Sequence, residues 1–190
     1  MRDRNKGFEP LHIRGRTGYL MKATLLSHGY TVVIKATTKE KQHILQVEVK
    51  NYHHLRSLQG YRIPVCLGHF KPSVAYRYHG ELMAYMMILS WSGTRLQQII
   101  NDENSDFFCK ERDKALKLLQ ERGVNHRDKE WRNMLWDDLT RCLIVVDLED
   151  IEWLKRPRPL QLTSGNTWGG HIAEAWKNKQ RRLSSPATNL

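Results

Sequence analysis

Residues 123–148 read GVNHRDKEWRNMLWDDLTRCLIVVDL, and this stretch limits what the chain can become more than any other. It holds Asp128, Asn133 and Asp147, each beside an apolar run able to fix it in space. Upstream, ALKLLQER has apolar side chains at 115, 116, 118 and 119, a helical stripe, and Gly123 suits the left-handed residue that follows a helix. His126, Arg127 and Asp128 then fall in a loop. Met134, Leu135 and Trp136 form a short apolar segment, and DDLT at 137–140 has turn chemistry. CLIVV at 142–146 is a compact β-branched run, read as a buried strand with Asp147 at its C-terminal edge. Helix, loop, hairpin and acidic end direct two carboxylates and an amide toward one small space, a pattern suited to metal and phosphate.

At 190 residues the chain suits one domain or two small lobes and can bury a core. No run approaches the roughly 18 apolar residues of a membrane span, and MRDRNKGFEP lacks the apolar centre of a signal peptide. The expectation is an intracellular protein, cytoplasmic or nuclear, with no membrane partner. Cys66, Cys109 and Cys142 are odd in number and widely spaced, which argues against a disulfide scaffold and a structural zinc site. The formal charge of +11 attracts polyanions such as ATP, acidic peptide or nucleic acid. Much of it is terminal, in KRPRP at 155–159 and KNKQRR at 177–182.

Taken in order, residues 1–10 are charged and expected to be frayed. Gly15 and Gly18 interrupt IRGRTGYLMKATL before a strand-like run, SHG at 27–29 is a turn, and YTVVIK at 30–35 is a strand ending in Lys35. KEKQHILQVEVKNYHHLRSLQG predicts a helix with Leu45, Val49, Tyr52 and Leu55 on one face, Glu48 on its flank, and Gly60 as the stop. Ile63-Pro64-Val65 opens an extended segment. SVAYRY at 73–78 and LMAYMMIL at 82–89 read as two strands joined at His79-Gly80. TRLQQII at 94–100 starts a helix after Gly93, NDENSD at 101–106 is a polar break, and CKERDKALKLLQERG supplies a long helix. Near the end, WLKRPRPLQL reads as extended, GGHIAEAWKNKQRRL as an amphipathic helix with Ile172, Ala175 and Trp176 on one side, and SSPATNL as a disordered tail.

His126-Arg127-Asp128, Asn133 five residues after the aspartate, and Asp147 after a strand together resemble the catalytic region of the protein-kinase-like superfamily, with Asp147-Leu148-Glu149 at the position of its DFG motif. LQGYRIP at 58–64, LSWSG at 89–93 and DLE are similar to segments of the kinase-like proteins abundant in filamentous fungi. The resemblance implies an α+β, two-lobed protein-kinase-like fold: a small antiparallel sheet plus one helix at 11–89, then a hinge and a shortened, mainly helical second lobe at 90–176. Residues 177–190 are left as a basic, disordered tail. It further implies that Gly15 and Gly18 cover phosphates and that Lys35, oriented by Glu48, binds the α- and β-phosphates. Backbone groups from Leu89 through Trp91 to Gly93 would meet adenine, Asp128 would accept the proton of an attacking hydroxyl, and Asn133 and Asp147 would hold Mg²⁺. Arg127 would ordinarily meet a phosphorylated activation segment, but the 43 residues after Asp147 contain no such segment and no APE motif. Regulation of that kind is therefore expected to be absent. The pattern departs at Glu130, where the family has a lysine, or in the fungal relatives an arginine, that neutralises the γ-phosphate; Lys129 stands one place early.

Three functions stay open on the sequence. The first is an ATP- and Mg²⁺-dependent phosphotransferase acting on a hydroxyl-bearing protein or small molecule. The second is a pseudokinase, motivated by Glu130 and the short C-terminal part, that binds nucleotide or partners without turnover. The third, motivated by charge alone, is a basic nucleic-acid-binding protein, for which no groove-reading motif is present.

Overall fold

The computed structural model describes residues 8–25, 29–74 and 76–155. Its architecture is α+β, with antiparallel sheets and few helices. The first half contains β1 (Phe8–Arg14), β2 (Tyr19–Leu25), β3 (Tyr30–Thr37), α1 (Gln42–His54), β4 (Cys66–Phe70), β5 (Tyr76–Tyr78), β6 (Glu81–Met83) and β7 (Tyr85–Ser90). Five of these strands form one antiparallel sheet in the order β1-β2-β3-β7-β4. The second half contains β8 (Thr94–Arg95), α2 (Leu96–Ile99), α3 (Ser105–Glu121), β9 (Val124–His126), β10 (Met134–Asp137), β11 (Cys142–Val145) and β12 (Ile151–Trp153). Here β8, β10 and β11 make one small sheet, and β9 pairs with β12.

The two-residue period of β3 determines what each face of the large sheet does. Val32, Ile34 and Ala36 point to one side and join Tyr19, Met21, Ala23, Met83 and Met86 in an apolar cluster. Val33 and Lys35 point to the other side, and pairing puts Lys35 opposite Leu20 on β2 and Met87 on β7. That second face receives α1, whose Leu45, Val49 and Tyr52, with Leu55 just beyond, are buried in the main core. The same core runs on through Met87, Leu96, Leu119, Met134, Leu143 and Leu148. Each such fully buried aliphatic side chain contributes roughly 1.5–3 kcal/mol. Arg62, itself buried, stitches the halves together: its carbonyl accepts from the Val145 amide at 2.8 Å and its guanidinium donates to the Leu143 carbonyl at 3.4 Å.

Several expectations need correction. β1 begins at Phe8, inside the stretch expected to be frayed. The apolar run at 82–89 is not one strand: His79 and Gly80 both take positive φ, +49° and +80°, the geometry of a tight hairpin turn. β6 therefore folds back on β5, and β7 restarts after Ala84 in the large sheet, with the Ala84 amide donating to the Thr37 carbonyl at 2.8 Å. The predicted helix at 94–100 begins as strand, because Thr94 and Arg95 pair with Trp136 and Leu135; only one helical turn follows. Asn101 and Asn104 then bond each other's amides through their side chains at 2.8 and 3.0 Å, and α3 starts at Ser105, earlier than expected. Among the described residues the second half is not mainly helical, since one long helix and one turn share it with five short strands. Gly123 has the expected left-handed φ of +80° after α3. The turn at 27–29 is described only at Gly29, and the proposed helix at 169–183, the tail and most of both basic clusters lie outside the described residues. Among the described residues no helix is long and apolar enough to cross a membrane.

Candidate functional site

Lys35 leaves the sheet on the face shared with α1, and three carboxylates meet it. Its Nζ donates to Glu48 Oε2 at 2.7 Å and to Asp147 Oδ1 at 2.6 Å, and lies 3.4 Å from Glu149 Oε2. Only 8% of the Lys35 side chain and 1% of the Glu48 side chain are exposed. Burial works to lower the Lys35 pKa, but the surrounding carboxylates, Glu48 foremost, outweigh it and raise the pKa above the ordinary lysine value. The Glu48 carboxyl is pushed up to about 7, chiefly by burial, with Lys35 opposing the rise. Lys35 is thus held as a cation, against a carboxyl whose proton affinity burial has raised.

Asp147 is placed by backbone and side-chain bonds around it. It follows β11 with a φ of +63°, a left-handed conformation that is strained for a residue other than glycine and clusters at functional sites. The Val146 amide donates to the Asn133 carbonyl at 2.9 Å. Asn51, one helical turn past Glu48 on α1, donates Nδ2 to the Leu148 carbonyl at 2.8 Å, so the helix that presents Glu48 also grips the acidic turn. Glu149 bridges upward, accepting from Arg16 Nε at 2.9 Å as well as facing Lys35. Its bond, first among the causes, raises the Arg16 pKa.

Asp128 and Asn133 come from the loop after β9 and the 3₁₀ turn at Trp131–Asn133. Asp128 Oδ2 accepts from Arg132 Nη2 at 2.7 Å, and its carbonyl accepts from Asn133 Nδ2 at 3.2 Å. Partial burial acts to raise the Asp128 pKa, but the bond from Arg132 overcomes it and the carboxyl is held below the usual carboxylate range. His126 is buried and its Nε2 lies 3.1 Å from the Val146 carbonyl, tying this loop to the strand that delivers Asp147. Arg127 faces Asp150 and Glu152, each at 3.9 Å.

Of these groups, Arg16, Lys35, Glu48, Asp128, Arg132, Asn133, Asp147 and Glu149 open on one cavity of about 750 Å³. Leu20, Val33 and Leu89 from the large sheet and Leu135 and Val146 from the second half supply apolar lining. Lys35, Glu48, Asp128, Asn133, Asp147 and Glu149 supply polar lining, and Gly15 and Gly18 border it. Gly18 is required by a close approach to β3: a Cβ there would lie 2.0 Å from the Ala36 carbonyl oxygen. That contact, and the Gly15 amide's 2.8 Å bond to the Gly18 carbonyl, fix the loop above the cavity. Carboxylate oxygens of Glu48, Asp147 and Glu149 lie within 4.8 Å of one another. Such an all-oxygen set suits a hard cation such as Mg²⁺ better than zinc. Asn133 spends its Nδ2 on Asp128, which leaves its Oδ1 for a donor or a cation.

Of the residues singled out from the sequence, Gly15, Gly18, Lys35, Glu48, Leu89, Trp91, Asp128, Asn133 and Asp147 fall on this cavity or its rim, whereas His126, Arg127 and Glu130 do not line it. One detail differs: the Trp91 amide, expected to face a ligand, donates to the Thr31 carbonyl at 3.2 Å. Four contributors escaped the sequence reading of the site. Asn51 had a signal, since it stands three residues after Glu48 on the same helix face. Arg16, Arg132 and the bridging role of Glu149 had none, because charged residues in polar loops acquire meaning only once the loops converge.

No family model matches the chain. The meiotic driver SPOK2 of Podospora anserina is 30% identical to it over 147 residues, which cover 77% of this chain and 18% of that protein. The chain therefore spans less than a fifth of the length of this curated relative.

Proposed function

We propose that the chain is an ATP- and Mg²⁺-dependent phosphotransferase of the protein-kinase-like kind, with the two halves forming a small sheet lobe and an abbreviated second lobe around the cavity. The observation that carries this reading is the convergence of Lys35, Glu48, Asp128, Asn133 and Asp147 on one cavity from four separate segments of the sequence. An adenine ring would find its apolar contacts among Leu20, Val33, Leu89 and Leu135, which line the cavity. Lys35 would turn from Asp147 to the α- and β-phosphates, with Glu48 keeping its ammonium in place. Asp147 and Asn133 would hold Mg²⁺, which when bound neutralises charge on the phosphates. Asp128 would orient the acceptor hydroxyl and take its proton. Protein chemistry in such a site is mostly positioning and charge stabilisation. The relative's description as a meiotic driver belongs to a much longer protein, so the proposal is confined to the chemistry of this site.

The test is release or transfer of the γ-phosphate from ATP by the wild type and by Asp147→Ala. The expected outcome is turnover in the wild type and its loss in the variant; equal rates in both proteins would contradict the reading. A second reading, a nucleotide-binding pseudokinase, is favoured by one specific arrangement: Glu130 stands near the site while the Asp128 carboxylate is already engaged by Arg132. Calorimetric titration with Mg-ATP beside a turnover assay separates the two, since binding without turnover selects the pseudokinase.

A further inference from the structure

Asp128 lines the cavity, but the next residue, Lys129, lines a separate open groove of about 390 Å³. The rest of that groove comes from α3. Arg112, Leu116 and Gln120, four residues apart, form one ridge of the helix, and Asp113 and Lys117 form the next. The helix and the loop are joined beside it by Trp131, which packs against the main core and holds the Arg112 guanidinium carbon 4.7 Å from its ring centroid. The loop itself is closed by the Asn133 amide donating to the Glu130 carbonyl at 2.9 Å and by Asn133 Nδ2 donating to the Asp128 carbonyl at 3.2 Å.

The groove has a surplus of positive charge. Arg112, Lys117 and Lys129 face one carboxylate, Asp113, which meets only Arg112 Nε at 3.4 Å. Among the described residues nothing accepts from the two Nη atoms of Arg112, and no carboxylate pairs with Lys117 or Lys129. Lys114, on the same helix but outside the groove, is by contrast paired with Glu111 at 2.6 Å. Leu116 adds an apolar patch between the cations.

Charge selects the occupant. A second copy of this chain, at +11, would be repelled, and so would residues 156–190, which carry six basic side chains and one acidic. Single-stranded nucleic acid needs aromatic faces on which bases stack, yet Trp131 is taken by Arg112, and Asp113 opposes a phosphate track. An extended acidic peptide fits: its carboxylates would meet Arg112, Lys117 and Lys129, and an apolar side chain would meet Leu116.

We propose that this groove docks an acidic segment of the acceptor, so that the phosphate is passed to an acidic polypeptide rather than to a small molecule. This rests on the phosphotransferase reading and names its substrate class. Consecutive Cα atoms lie about 3.8 Å apart, so a peptide seated on Lys129 brings a neighbouring hydroxyl to the cavity at Asp128. That hydroxyl oxygen forms the new bond to the γ-phosphorus, its proton passes to Asp128, and ADP leaves.

The experiment is fluorescence anisotropy of a labelled peptide with one serine flanked by glutamates, titrated at 0.15 M salt with three forms of the full chain. These are the wild type, Lys117→Gln with Lys129→Gln, and a control, Lys39→Gln with Lys50→Gln, which removes the same charge from exposed positions outside the groove. Loss of two exposed charge pairs is expected to weaken peptide binding about tenfold in the groove variant, and the control to stay within about twofold. Calorimetric titration with Mg-ATP should give the same affinity in all three, which also certifies that they are folded. In a transfer assay the groove variant should raise KM for the peptide and leave kcat in place. With Mg-ATP binding intact, equal weakening in both variants, or a wild type that ignores the peptide, overturns the docking site and leaves the phosphotransferase reading standing. Oligo-dT bound more tightly than the peptide, and lost in the groove variant alone, overturns it in favour of nucleic acid. A wild type that binds no Mg-ATP overturns the reading beneath it.

Discussion

Lys35 meets Glu48 at 2.7 Å with 8% and 1% of their side chains exposed, whereas Arg132 meets Asp128 at the same 2.7 Å with 58% and 31% exposed. Geometry alone would rank the two ion pairs as equals. Burial separates them: the first pair has given up its water and is locked into the core beside α1, so removing one partner strands the other. The second pair keeps its hydration and exchanges partners at little cost. One wall of the cavity is therefore a fixed electrostatic scaffold and the other an adjustable one, a division that on the proposed reading would hold the nucleotide rigidly while the acceptor arrives and leaves.

The contrast can be broken most forcefully at Lys35. Lys35→Met leaves Glu48, Asp147 and Glu149 facing one another without their cation, and should cost about 3 kcal/mol of unfolding free energy, read by urea denaturation at neutral pH. A loss as small as that of an exposed pair would mean that the scaffold wall is no scaffold. Next comes a pH dependence. Folding raises the Glu48 pKa to about 7 from its ordinary 4.5, so between those values the native state keeps a proton that the unfolded chain releases. This stabilisation is fully present below the unfolded value and is lost as pH rises through the folded one. In metal-free buffer, the melting temperature of Glu48→Gln minus that of the wild type should therefore grow from about pH 5 to about pH 8. A flat difference would remove Glu48 as the titrating group. Smallest of all, Arg132→Gln should leave the urea midpoint of unfolding close to that of the wild type, since its pair is exposed; a clear drop in the midpoint would show that the adjustable wall is structural.

How much of this could be read from the sequence follows the same division. Lys35, Glu48 and Asp147 were legible because each belongs to a periodic element: a strand with two-residue alternation, a helix with a buried stripe, and the edge of a β-branched run. Asn133 and Asp128 were legible through their spacing. The pairing of β8 with β10 was hidden because two-residue strands carry no period, and the split of 82–89 into β6 and β7 was hidden because a continuous apolar run does not reveal where it changes sheet. Arg132 was illegible for a physical reason too: an exposed arginine in a polar loop looks like any solvated charge until a 3₁₀ turn aims it at Asp128. The second half looked helical because α3 dominates its hydrophobic pattern, while its strands are four residues or shorter.

On the proposed reading, this cavity takes a magnesium-bound nucleotide beside the hydrogen-bonded pair of Lys35 and Asp147. Thermal unfolding of the wild type and of Asp147→Asn, each titrated with ATP in the presence and absence of Mg²⁺, tests it most directly, because a ligand that binds only the native state raises its melting temperature. The expected result is a dose-dependent rise for the wild type with Mg-ATP, equivalent to about 2.7 kcal/mol at a hundredfold excess over Kd, and a much smaller rise for the variant or without the metal. An unmoved wild-type transition at millimolar Mg-ATP, or the same rise in both proteins, would contradict it.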